Sequence, residues 1–403
     1  MLKPTVLPLP KFGIPNLKSK LSYTFVNDIE KIGQALWQEM AVGTNPFCQY
    51  EFLHALESSK SVGPDTGWHP HHLILYKNNE AVCVVPLYKK NHSYGEYVFD
   101  FAWANTYKQY GLNYYPKLIS AIPFTPVTGG RILCRPHTDQ TELVEVVCQV
   151  TSEKLSLDGL SSMHWLFVEA QTSQRLAAQQ QLTRRSVQFQ WFNRGYATFS
   201  DFLATMNSRK RKTIKSERNK VFQAEVTVER LTGEKLHMAN MDFFYHCYQQ
   251  TYLKRSGHTG YLTQDFFKQI FQTMHHNLLI VEASIGGQPI ASALFFYDDK
   301  QLFGRYWGAI VDIPQLHFEC CYYQGIEFCI DKGLAEFNPG TQGEHKIMRG
   351  FEPTYCYSNH QLKELAFHEA VGRFIKTEDI GIAEYKQNAE SLLPFKKLTD
   401  DSL

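Results

Sequence analysis

The segment LLIVEASIGGQPIASALFFY, residues 278–297, places two runs of apolar and β-branched residues on either side of a paired glycine. Such runs around a glycine turn predict an antiparallel β-hairpin. A second segment, HLILYKNNEAVCVVPLY at residues 72–88, has the same design with a paired asparagine at the turn. The two segments lie half a chain apart, which indicates two copies of one fold unit.

The residues that follow each hairpin also correspond. A third strand is predicted over 94–103 in the first half and over 301–310 in the second. A helix is predicted next, over 105–123 and over 316–333, where Gly333 supplies a C-terminal stop. Each hairpin is preceded by two amphipathic helices, at residues 28–40, 49–59, 241–255 and 263–274.

These correspondences predict an α/β (α+β) chain of two tandem lobes, each with a mixed, mostly antiparallel sheet flanked by helices. The N-terminal lobe is expected over residues 20–195 and the C-terminal lobe over residues 196–361. A helix over residues 362–392 is expected to pack back on the first lobe. A chain of 403 residues is long enough for two domains of ordinary size.

The composition is that of a globular protein with no general excess of charge. Hydrophobic residues make up 43% of the chain and the formal net charge is +1, so DNA is not expected as a partner. The nine cysteines show no metal-ligand spacing, and we expect reduced thiols and no metal site. Prolines interrupt the N-terminal MLKPTVLPLPKFG, and no apolar run approaches the ~18 residues of a membrane helix. The chain is therefore expected in the cytoplasm, without membrane insertion.

The segment TMNSRKRKTIKSERNKVF, residues 205–222, concentrates positive charge in a nearly neutral chain. It contains seven basic residues and one acidic residue, Glu217. Ser200 and Asp201 are predicted to cap one helix that runs through this segment. That helix would bury an apolar stripe formed by Leu203, Met206, Ile214 and Val221.

Pairing within the helix cannot neutralise these cations, because one acid faces seven bases. A solvated surface, paired with acids elsewhere in the chain, is the alternative interpretation. We favour binding of a polyanion, such as the phosphates of a nucleotide cofactor, a tRNA or a phosphorylated cell-wall precursor. The residues assigned to the donor phosphates are Arg209, Arg211, Lys212, Lys215 and Arg218.

A second candidate site lies in NPGTQGEHKIMRGFEP, residues 338–353. Its glycines let the backbone turn closely around a ligand, and the lysine does not lie in the frame of a P-loop. A polar turn between two strands is the alternative interpretation. The segment brings a carboxylate, an imidazole and two cations together, from Glu344, His345, Lys346 and Arg349.

The strand at 301–310 and the helix after it add further candidates. Arg305 and Trp307 are predicted to share one face of the strand, and Tyr306 the other. Glu319, at the start of the helix, is a candidate base for an amine; a carboxylate that only complements the helix dipole is the alternative. Substrate binding is assigned to Arg305, Tyr306, Trp307, His317 and Arg349.

Six blocks of the sequence carry a family resemblance: NPFCQYEFLHALESSKSVGPDTGWHPHHL, VPLYKKNHSYGEYVFDFAWA, SRKRKTIKSERNKV, GRYWGA, HFECCYYQGIEFCI and PGTQGEHKIMRGFEP. They resemble the bacterial FemAB-like family of predicted N-acyltransferases, associated with peptidoglycan biosynthesis and recognition, over roughly residues 20–390. The resemblance implies membership of the GNAT superfamily and two GNAT-like lobes, in agreement with the duplicated hairpins.

In the similar Fem-type enzymes, a basic helix and a late lysine before a Gly-Phe pair recur. Here SRKRKTIKSERNK matches the first feature, and Lys346 with Gly350 and Phe351 matches the second. The resemblance implies an aminoacyl-tRNA as donor and a peptide amine as acceptor. The Q/R-x-x-G-x-G/A pyrophosphate loop of CoA-dependent GNAT proteins has no match in this sequence, which counts against acyl-CoA as donor without excluding it.

The residues and the resemblance together lead us to expect an N-acyltransferase that moves an acyl or aminoacyl group to an amine. The co-substrate is aminoacyl-tRNA or acyl-CoA, with no permanently bound cofactor, and the sequence predicts no oligomeric state. Two alternatives stay open: a non-catalytic protein that binds a polyanion or cell-wall precursor, and an acyl-CoA N-acetyltransferase of small amines. Cys320 and Cys321 are expected to pack in a helix and not to act as nucleophiles. Catalytic roles are assigned to Glu319, Glu344, His345 and Lys346.

Overall fold

The computed structural model describes residues 12–13, 21–341 and 343–396. Strands form mainly where apolar and β-branched residues run for several positions. The strands in these residues are β1 (Phe12–Gly13), β2 (Leu21–Val26), β3 (Trp68–Pro70), β4 (His72–Lys77), β5 (Glu80–Val85), β6 (Tyr88–Lys90), β7 (Lys117–Ser120), β8 (Leu133–Cys134), β9 (Ser162–Val168), β10 (Leu182–Phe192), β11 (Thr227–Thr232), β12 (Leu278–Ile285), β13 (Gln288–Tyr297), β14 (Gln301–Ala309), β15 (Glu336–Asn338) and β16 (Glu352–Leu362).

The helices alternate with these strands along the chain. A π-helical turn, Glu319–Tyr323, joins the tenth helix to the eleventh, and a 3-10 turn covers Glu344–Arg349. The α-helices in the described ranges are α1 (Gln34–Met40), α2 (Tyr50–Ser58), α3 (Phe101–Gln109), α4 (Gln140–Leu157), α5 (Ala170–Ala178), α6 (Phe199–Ala204), α7 (Ser208–Gln223), α8 (Met238–Ser256), α9 (Gln264–Met274), α10 (Leu316–Phe318), α11 (Gln324–Lys332) and α12 (Leu365–Ser391).

The chain divides into two compact units. The first comprises residues 1–184 and 357–377, and the second comprises residues 185–356 and 378–403. The divisions therefore fall inside β10, β16 and α12, whereas the sequence analysis placed lobe boundaries after β10, at 195/196, and after residue 361. A long strand or helix can contribute one part of its length to each of two cores, and hydrophobic patterning along it does not show where that change occurs.

The first unit contains the predicted hairpin at 72–88. Strands β4 and β5 pair antiparallel, and Asn78 and Asn79 form the turn with φ angles of 51° and 70°. Asparagine tolerates this left-handed conformation better than most residues, which explains the paired asparagines. The hairpin lies within a sheet of order β1-β2-β4-β5-β8, and buried apolar residues of α4 belong to the same core cluster as β4 and β5.

A second group of strands in the first unit has the order β9-β7-β6-β3. Strands β7 and β9 are parallel, whereas β6 pairs antiparallel with both β3 and β7. The last residues of β16, from Tyr357 to Leu362, pair antiparallel with β9. The unit is thus mixed and mostly antiparallel, as predicted.

The third strand predicted at 94–103 is absent, and the helix predicted at 105–123 is displaced. Residues 91–100 form turns, α3 begins at Phe101, and Lys117–Ser120 is a strand. The physical reason is that Glu96 and Asp100 are buried and bind Lys117, which holds the segment off the sheet ladder. The helix that packs on the β4–β5 hairpin is α4, which the sequence analysis did not predict.

In the second unit, the predicted meander is confirmed. Strands β12, β13 and β14 pair antiparallel in sequence order, and the strand order is β11-β12-β13-β14-β15-β10. The predicted helix at 316–333 forms as α10, the π-helical turn and α11, and Gly333 ends it with a left-handed φ of 69°. The fold class is therefore α/β with two units of mixed sheet and flanking helices, as expected.

Strands β14 and β15 diverge, and this divergence positions the candidate site. They pair in parallel at Gln301–Phe303 and Glu336–Asn338, while β14 continues to Ala309. A bulge in β14 leaves Arg305 between residues paired with Phe295 and Leu294, and bulges bend a strand locally. The second half of β14 is thereby directed away from β15.

The basic segment is not part of one helix that begins at residue 200. The Thr198 side chain caps α6, which ends at Ala204, and the Asn207 side chain caps α7, which begins at Ser208. Asn207 can accept the first free N–H groups of α7, so it starts a new helix. The predicted apolar stripe is nevertheless buried, at Leu203, Met206, Ile214 and Val221.

Candidate functional site

A cleft of about 920 Å³ opens in the second unit between α8 and the end of β14. One wall carries His246, Lys254 and Arg255 of α8. The opposite side carries Trp307 and His317, together with the loop that joins β14 to α10. The cleft thus combines cations, imidazoles and an aromatic ring, a combination suited to an anionic substrate with a polar reacting group.

Helix α8 lies close to β14 because Gly308 has no side chain. A Cβ atom at Gly308 would lie 2.1 Å from the carbonyl oxygen of Cys247, so any other residue would push the helix away. Thr251 Oγ1 also donates a hydrogen bond to the Trp307 carbonyl oxygen at 3.1 Å. These contacts set the position of the last turn of α8 beside the cleft.

Lys254 and Arg255 are the residues that the sequence analysis missed. Both are exposed and lie in the last turn of α8. Basic residues are common at the end of a helix because they complement the helix dipole, so their sequence position carries no separate signal for a ligand. The tertiary structure shows that they share a cleft with Trp307 and His317.

His317 and Trp307, both predicted to bind substrate, do lie together. Their ring centroids are 5.6 Å apart in an edge-to-face arrangement. Burial, together with nearby His345, Arg255, Lys346 and Arg349, lowers the pKa of His317 to about 4. Among the described residues, His317 makes no hydrogen bond. A neutral imidazole with unused nitrogen atoms therefore lines the cleft.

Lys346 is buried behind this wall, with 1% of its surface exposed. Its Nζ donates to the carbonyl oxygens of Gly340 at 2.7 Å and Thr341 at 3.3 Å. Burial, with a smaller contribution from Arg305, lowers the pKa of Lys346 to about 7. A Cβ at Gly340 would lie 3.1 Å from the Gly304 carbonyl oxygen, so Lys346 holds the turn after β15 against the bulged part of β14.

Glu319 occupies a different environment from the one expected for a free base. Its carboxylate accepts two hydrogen bonds from Arg218, at 3.0 and 2.8 Å, and one from Gln324 at 2.8 Å. Arg218 also donates to Glu327 at 2.6 Å. Arg218 and Glu319 thus bind each other, and neither is placed as the sequence analysis expected, at a phosphate or at an amine.

Arg349 is also engaged within the protein. Its Nη2 donates to Glu217 at 2.7 Å, its Nε to Tyr323 at 3.0 Å and its Nη1 to the His345 carbonyl oxygen at 2.7 Å. The guanidinium lies 3.5 Å from the Phe318 ring centroid. This cluster ties α7, the π-helical turn and the 344–349 turn together behind the cleft.

The remaining predicted catalytic residues lie near the same turn. His345 Nε2 is 2.8 Å from the Tyr322 hydroxyl, and the His345 ring lies 6.3 Å from that of His317. Glu344 is exposed and accepts a hydrogen bond from Tyr385 at 3.1 Å. Of this pair, the structure brings His345 next to the cleft wall.

Two predicted substrate-binding residues of β14 lie outside the lining of the cleft. The Tyr306 ring contacts the aromatic rings of Phe244, Tyr248 and Phe267, so it belongs to the packing between α8, α9 and the sheet. Arg305 occupies the bulge, with its guanidinium 5.5 Å from the Tyr306 ring centroid. Trp307 is therefore the member of this strand triplet that faces the cleft.

The outward cations of α7 lie on a different surface from the cleft. Arg209, Lys212 and Lys215 are exposed, and Arg211 is half-buried. Lys215 lines a smaller pocket of about 480 Å³, together with Phe222. No residue of α7 is among the described residues that line the larger cleft.

The described residues show neither a metal-binding cluster nor a membrane-spanning helix. Within residues 12–13, 21–341 and 343–396, no group of three or more His, Cys, Asp or Glu side chains is arranged to hold a metal ion. In the same part of the chain, no helix has the length and apolar character needed to span a bilayer.

The sequence matches the model of the FemAB-like family, described as peptidoglycan biosynthesis/recognition, over residues 28–397. The match covers most of the chain, so this protein belongs to the FemAB-like family. No curated protein matches the sequence.

Solved structures with a similar fold share about a tenth of their residues with this chain. A conserved protein of unknown function from Bacteroides thetaiotaomicron has a TM-score of 0.50 at 10% identity, over 83% of this chain and 98% of that chain. The C-terminal domain of a putative lysylphosphatidylglycerol synthetase from Agrobacterium fabrum has a TM-score of 0.50 at 9% identity, over 87% and 96%. FemX has a TM-score of 0.48 at 9% identity, over 80% and 94%. At these identities the first two likenesses concern the fold alone.

Proposed function

We propose that this protein is an N-acyltransferase that moves an acyl or aminoacyl group from a phosphate-bearing donor to an amine. The observation that supports this most directly is the cleft of the second unit, where Lys254 and Arg255 face a wall with the neutral His317. Cations bind the phosphates of the donor, and a neutral imidazole can accept a proton from the attacking amine. Membership of the FemAB-like family agrees with this chemistry.

In the proposed reaction, the amine nitrogen attacks the donor carbonyl carbon and forms the new C–N bond. His317 takes the proton that the amine must lose, and passes it to the oxygen or sulfur of the leaving group as its bond to carbon breaks. A phosphate bound at Arg255 would offset one of the charges that lower the pKa of His317. Donor binding would therefore raise that pKa toward neutrality and make His317 a better base.

Three residues have positioning roles in this proposal and do not touch the reacting atoms: Lys346, Glu319 and Arg218. Lys346 fixes the turn after β15, and the pair of Arg218 with Glu319 fixes the π-helical turn below the cleft. Polar groups held in place in this way keep reacting groups aligned. We therefore assign these three residues positioning roles, and His317 the proton transfer.

The exposed cations of α7 provide a way to tell the two donor classes apart. Arg209, Lys212 and Lys215 lie outside the lining of the cleft, so they would meet a long polyanion such as tRNA and not the compact acyl-CoA. Each phosphate contact of this kind makes binding weaker as salt increases. If substitution of these α7 residues lowers the affinity of the protein for aminoacyl-tRNA, aminoacyl-tRNA is the expected donor.

The test is retention of labelled aminoacyl-tRNA on a filter over a salt series, with and without excess CoA, followed by assay of transfer to a peptide amine. Arg255→Glu should weaken the binding of every donor, and Lys215→Glu should weaken the binding of tRNA alone. Substitution of an exposed lysine in Lys235→Glu should leave donor binding as in wild type. CoA that displaces the tRNA, with transfer from acyl-CoA, would assign the donor to acyl-CoA. Donor binding without product from either donor would contradict an enzyme and favour a binding protein.

A further inference from the structure

Two fully buried lysines lie side by side in the first unit. Lys90 of β6 is directly opposite Lys117 of β7 in the antiparallel register, and each has 0% of its surface exposed. Directly opposed residues project from the same face of a sheet, and like charges at such positions repel. Burial, with Lys117 adding to it, lowers the pKa of Lys90 to about 7, so the charged form of the pair depends on anions or strong acceptors nearby.

Lys117 obtains its hydrogen-bond acceptors from one segment, residues 92–100, which we call the strap. The Lys117 Nζ donates to Ser93 Oγ at 2.9 Å, to Glu96 Oε2 at 2.8 Å and to Asp100 Oδ2. The rings of Tyr114 and Tyr115 lie 5.3 and 5.8 Å from the same nitrogen. Two strap carboxylates thus occupy the space in front of this lysine.

Lys90 has the same arrangement of strap and aromatic ring. Its Nζ lies 3.3 Å from His92 Nδ1 and 3.3 Å from the Tyr94 carbonyl oxygen, both in the strap. On another side, it lies 3.9 Å from the centroid of the Trp68 ring. The paired lysines, the aromatic walls and the covering strap form one enclosed site.

Each of the two strap carboxylates has one oxygen atom without a hydrogen-bond partner in the described part of the chain. Glu96 Oε1 and Asp100 Oδ1 are buried and have no hydrogen-bond partner among the described residues. A buried carboxylate oxygen without a partner loses its hydration and gains nothing in return. Displacement of the strap would return these two oxygen atoms to water, while the oxygen atoms of a ligand take over the acceptor positions at the lysines.

The strap is not anchored by its large side chains. Tyr94 and Phe99 expose 60% and 62% of their surface, although both are large enough to add to a core. Tyr97 has a φ angle of 60°, which is uncommon for a bulky residue. The strap is held by its charge pairs and by hydrogen bonds to its backbone, from the Phe124 N–H to the Gly95 carbonyl oxygen at 3.2 Å and from Arg184 to the Phe99 carbonyl oxygen at 2.8 Å. Tyr94 and Phe99 add little to this, because they face solvent.

We propose that Lys90 and Lys117 form an anion-binding site that the strap covers in this structure, and that a ligand with two oxyanion groups binds there when it displaces the strap. The spacing of neighbouring strands sets two cations side by side, as a diphosphate or a dicarboxylate requires. The strap supplies two carboxylates to the same cations, so it competes directly with such a ligand. This site is in the first unit and is independent of the proposed transfer reaction.

The experiment is calorimetric titration of inorganic pyrophosphate, and separately of malonate, into the full-length protein at pH 7, near the pKa of Lys90. Glu96→Gln removes one competing charge and keeps the shape of the strap, whereas Lys90→Gln removes one cation of the site. Glu80→Gln makes the same charge change at an exposed position of the same unit and is the matched control. Comparison of the two probes distinguishes a phosphate ligand from a carboxylate ligand.

We expect Glu96→Gln to bind one of the probes at least tenfold more tightly than wild type, Glu80→Gln to match wild type, and Lys90→Gln to bind neither. Hydrogen exchange of the wild-type protein provides a readout without substitution: saturating probe should speed exchange of amides 92–100 and leave β7 unchanged. Equal affinity in Glu96→Gln and wild type, undiminished binding in Lys90→Gln, or unchanged strap exchange with bound probe would each overturn the proposal.

Discussion

His317 shows how neighbouring residues alter the chemistry of a single side chain. An exposed histidine is partly protonated near neutral pH, but burial and surrounding cations bring the pKa of His317 to about 4. Its sequence context, HFECC after a strand, predicts a substrate contact without indicating this neutral state. Burial is the main cause, and the cations that add to it, Arg255 and Lys346, are far away in sequence.

His317→Gln tests the proposed proton transfer. Glutamine preserves size and hydrogen bonding but cannot accept a proton, so kcat should fall by about 100-fold or more while donor affinity stays within a factor of a few. The measurement is steady-state kinetics with donor binding measured in parallel. His258→Gln changes an exposed histidine of the same unit outside the cleft lining and should retain full activity; an equal loss there would contradict the assignment.

Lys346 should leave a signature in the pH dependence of stability. Its pKa is lowered from 10.5 to about 7 by burial, so between these values the unfolded chain binds a proton that the folded protein lacks. The folded state therefore becomes more stable as pH rises across this window, by about 1.4 kcal/mol per pH unit from this group. Below pH 7 the lysine is protonated in both states, so its contribution to stability no longer changes with pH.

The check is urea unfolding of wild type and Lys346→Met at several pH values from 7 to 9.5. The stability difference between wild type and variant should shift in favour of wild type as pH rises. Lys332→Met removes an exposed lysine of the same unit and should show no such trend. A pH-independent difference for Lys346→Met would show that the lysine is charged when buried.

At the scale of elements, the π-helical turn between α10 and α11 depends on one arginine of α7. Arg218 binds Glu319 and Glu327 together, and the Glu319 side chain is 6% exposed. The same arginine appears in the sequence as one cation among seven in a basic run. Its role follows from its position on the inward side of α7, which the sequence analysis assigned to solvent.

Arg218→Met should destabilise the second unit by about 3 kcal/mol, because it leaves the buried carboxylate of Glu319 without its counter-charge. Arg230→Met is the matched control, since Arg230 pairs with Asp331, whose side chain is 58% exposed, and exposed pairs contribute about 0–1 kcal/mol. Chemical denaturation of both variants makes the comparison. Equal losses would show that burial of Glu319 does not matter.

The contact between α8 and β14 is equally specific. Gly308→Ala would place a Cβ 2.1 Å from the Cys247 carbonyl oxygen, so α8 must shift, at a cost of about 1–3 kcal/mol. Donor affinity should fall with stability, because Lys254 and Arg255 move with the helix. Gly381→Ala, at a helical glycine with open space around it, should melt at or slightly above the wild-type temperature, because alanine favours the helix, and should bind the donor as wild type does; a similar loss there would contradict this explanation.

For the molecule as a whole, the first unit is assembled from two separate stretches of chain. One of its hydrophobic clusters joins Trp103, Tyr107 and Tyr114 to Val371 and Ile375, and residues 357–362 pair with β9. The sequence analysis set this lobe at 20–195 and expected a helix over 362–392 to pack back on it, but assigned residues 357–361 to the other lobe. A domain boundary read along the sequence therefore does not describe this unit completely.

A fragment of residues 20–195 should consequently fail to melt cooperatively, because it exposes part of its core and the edge of β9. A second fragment with residues 357–377 joined through a flexible linker should recover a cooperative transition. Circular dichroism during heating distinguishes the two. A sharp transition in the shorter fragment would show that the added stretch is not needed.

The sequence by itself determined the elements whose signals are local. The hairpins at 72–88 and 278–297 follow from apolar runs around turn residues, and Gly333 ends its helix because glycine adopts the left-handed conformation. The family was also readable from continuous blocks. The late segment at 338–353 was predicted from local signals to be a second candidate site, with a polar turn as the alternative, and this assignment stays a prediction.

Only the tertiary structure decided which charged residues meet. Glu96 and Asp100 keep a predicted strand from forming because they bind Lys117, and Arg218 and Arg349 bind carboxylates of the protein itself. Lys254 and Arg255 share a cleft with His317 because Gly308 admits α8 against β14. The physical reason is that charge pairing and burial depend on distances between residues far apart in sequence, whereas helix, strand and turn signals arise from neighbours along the chain.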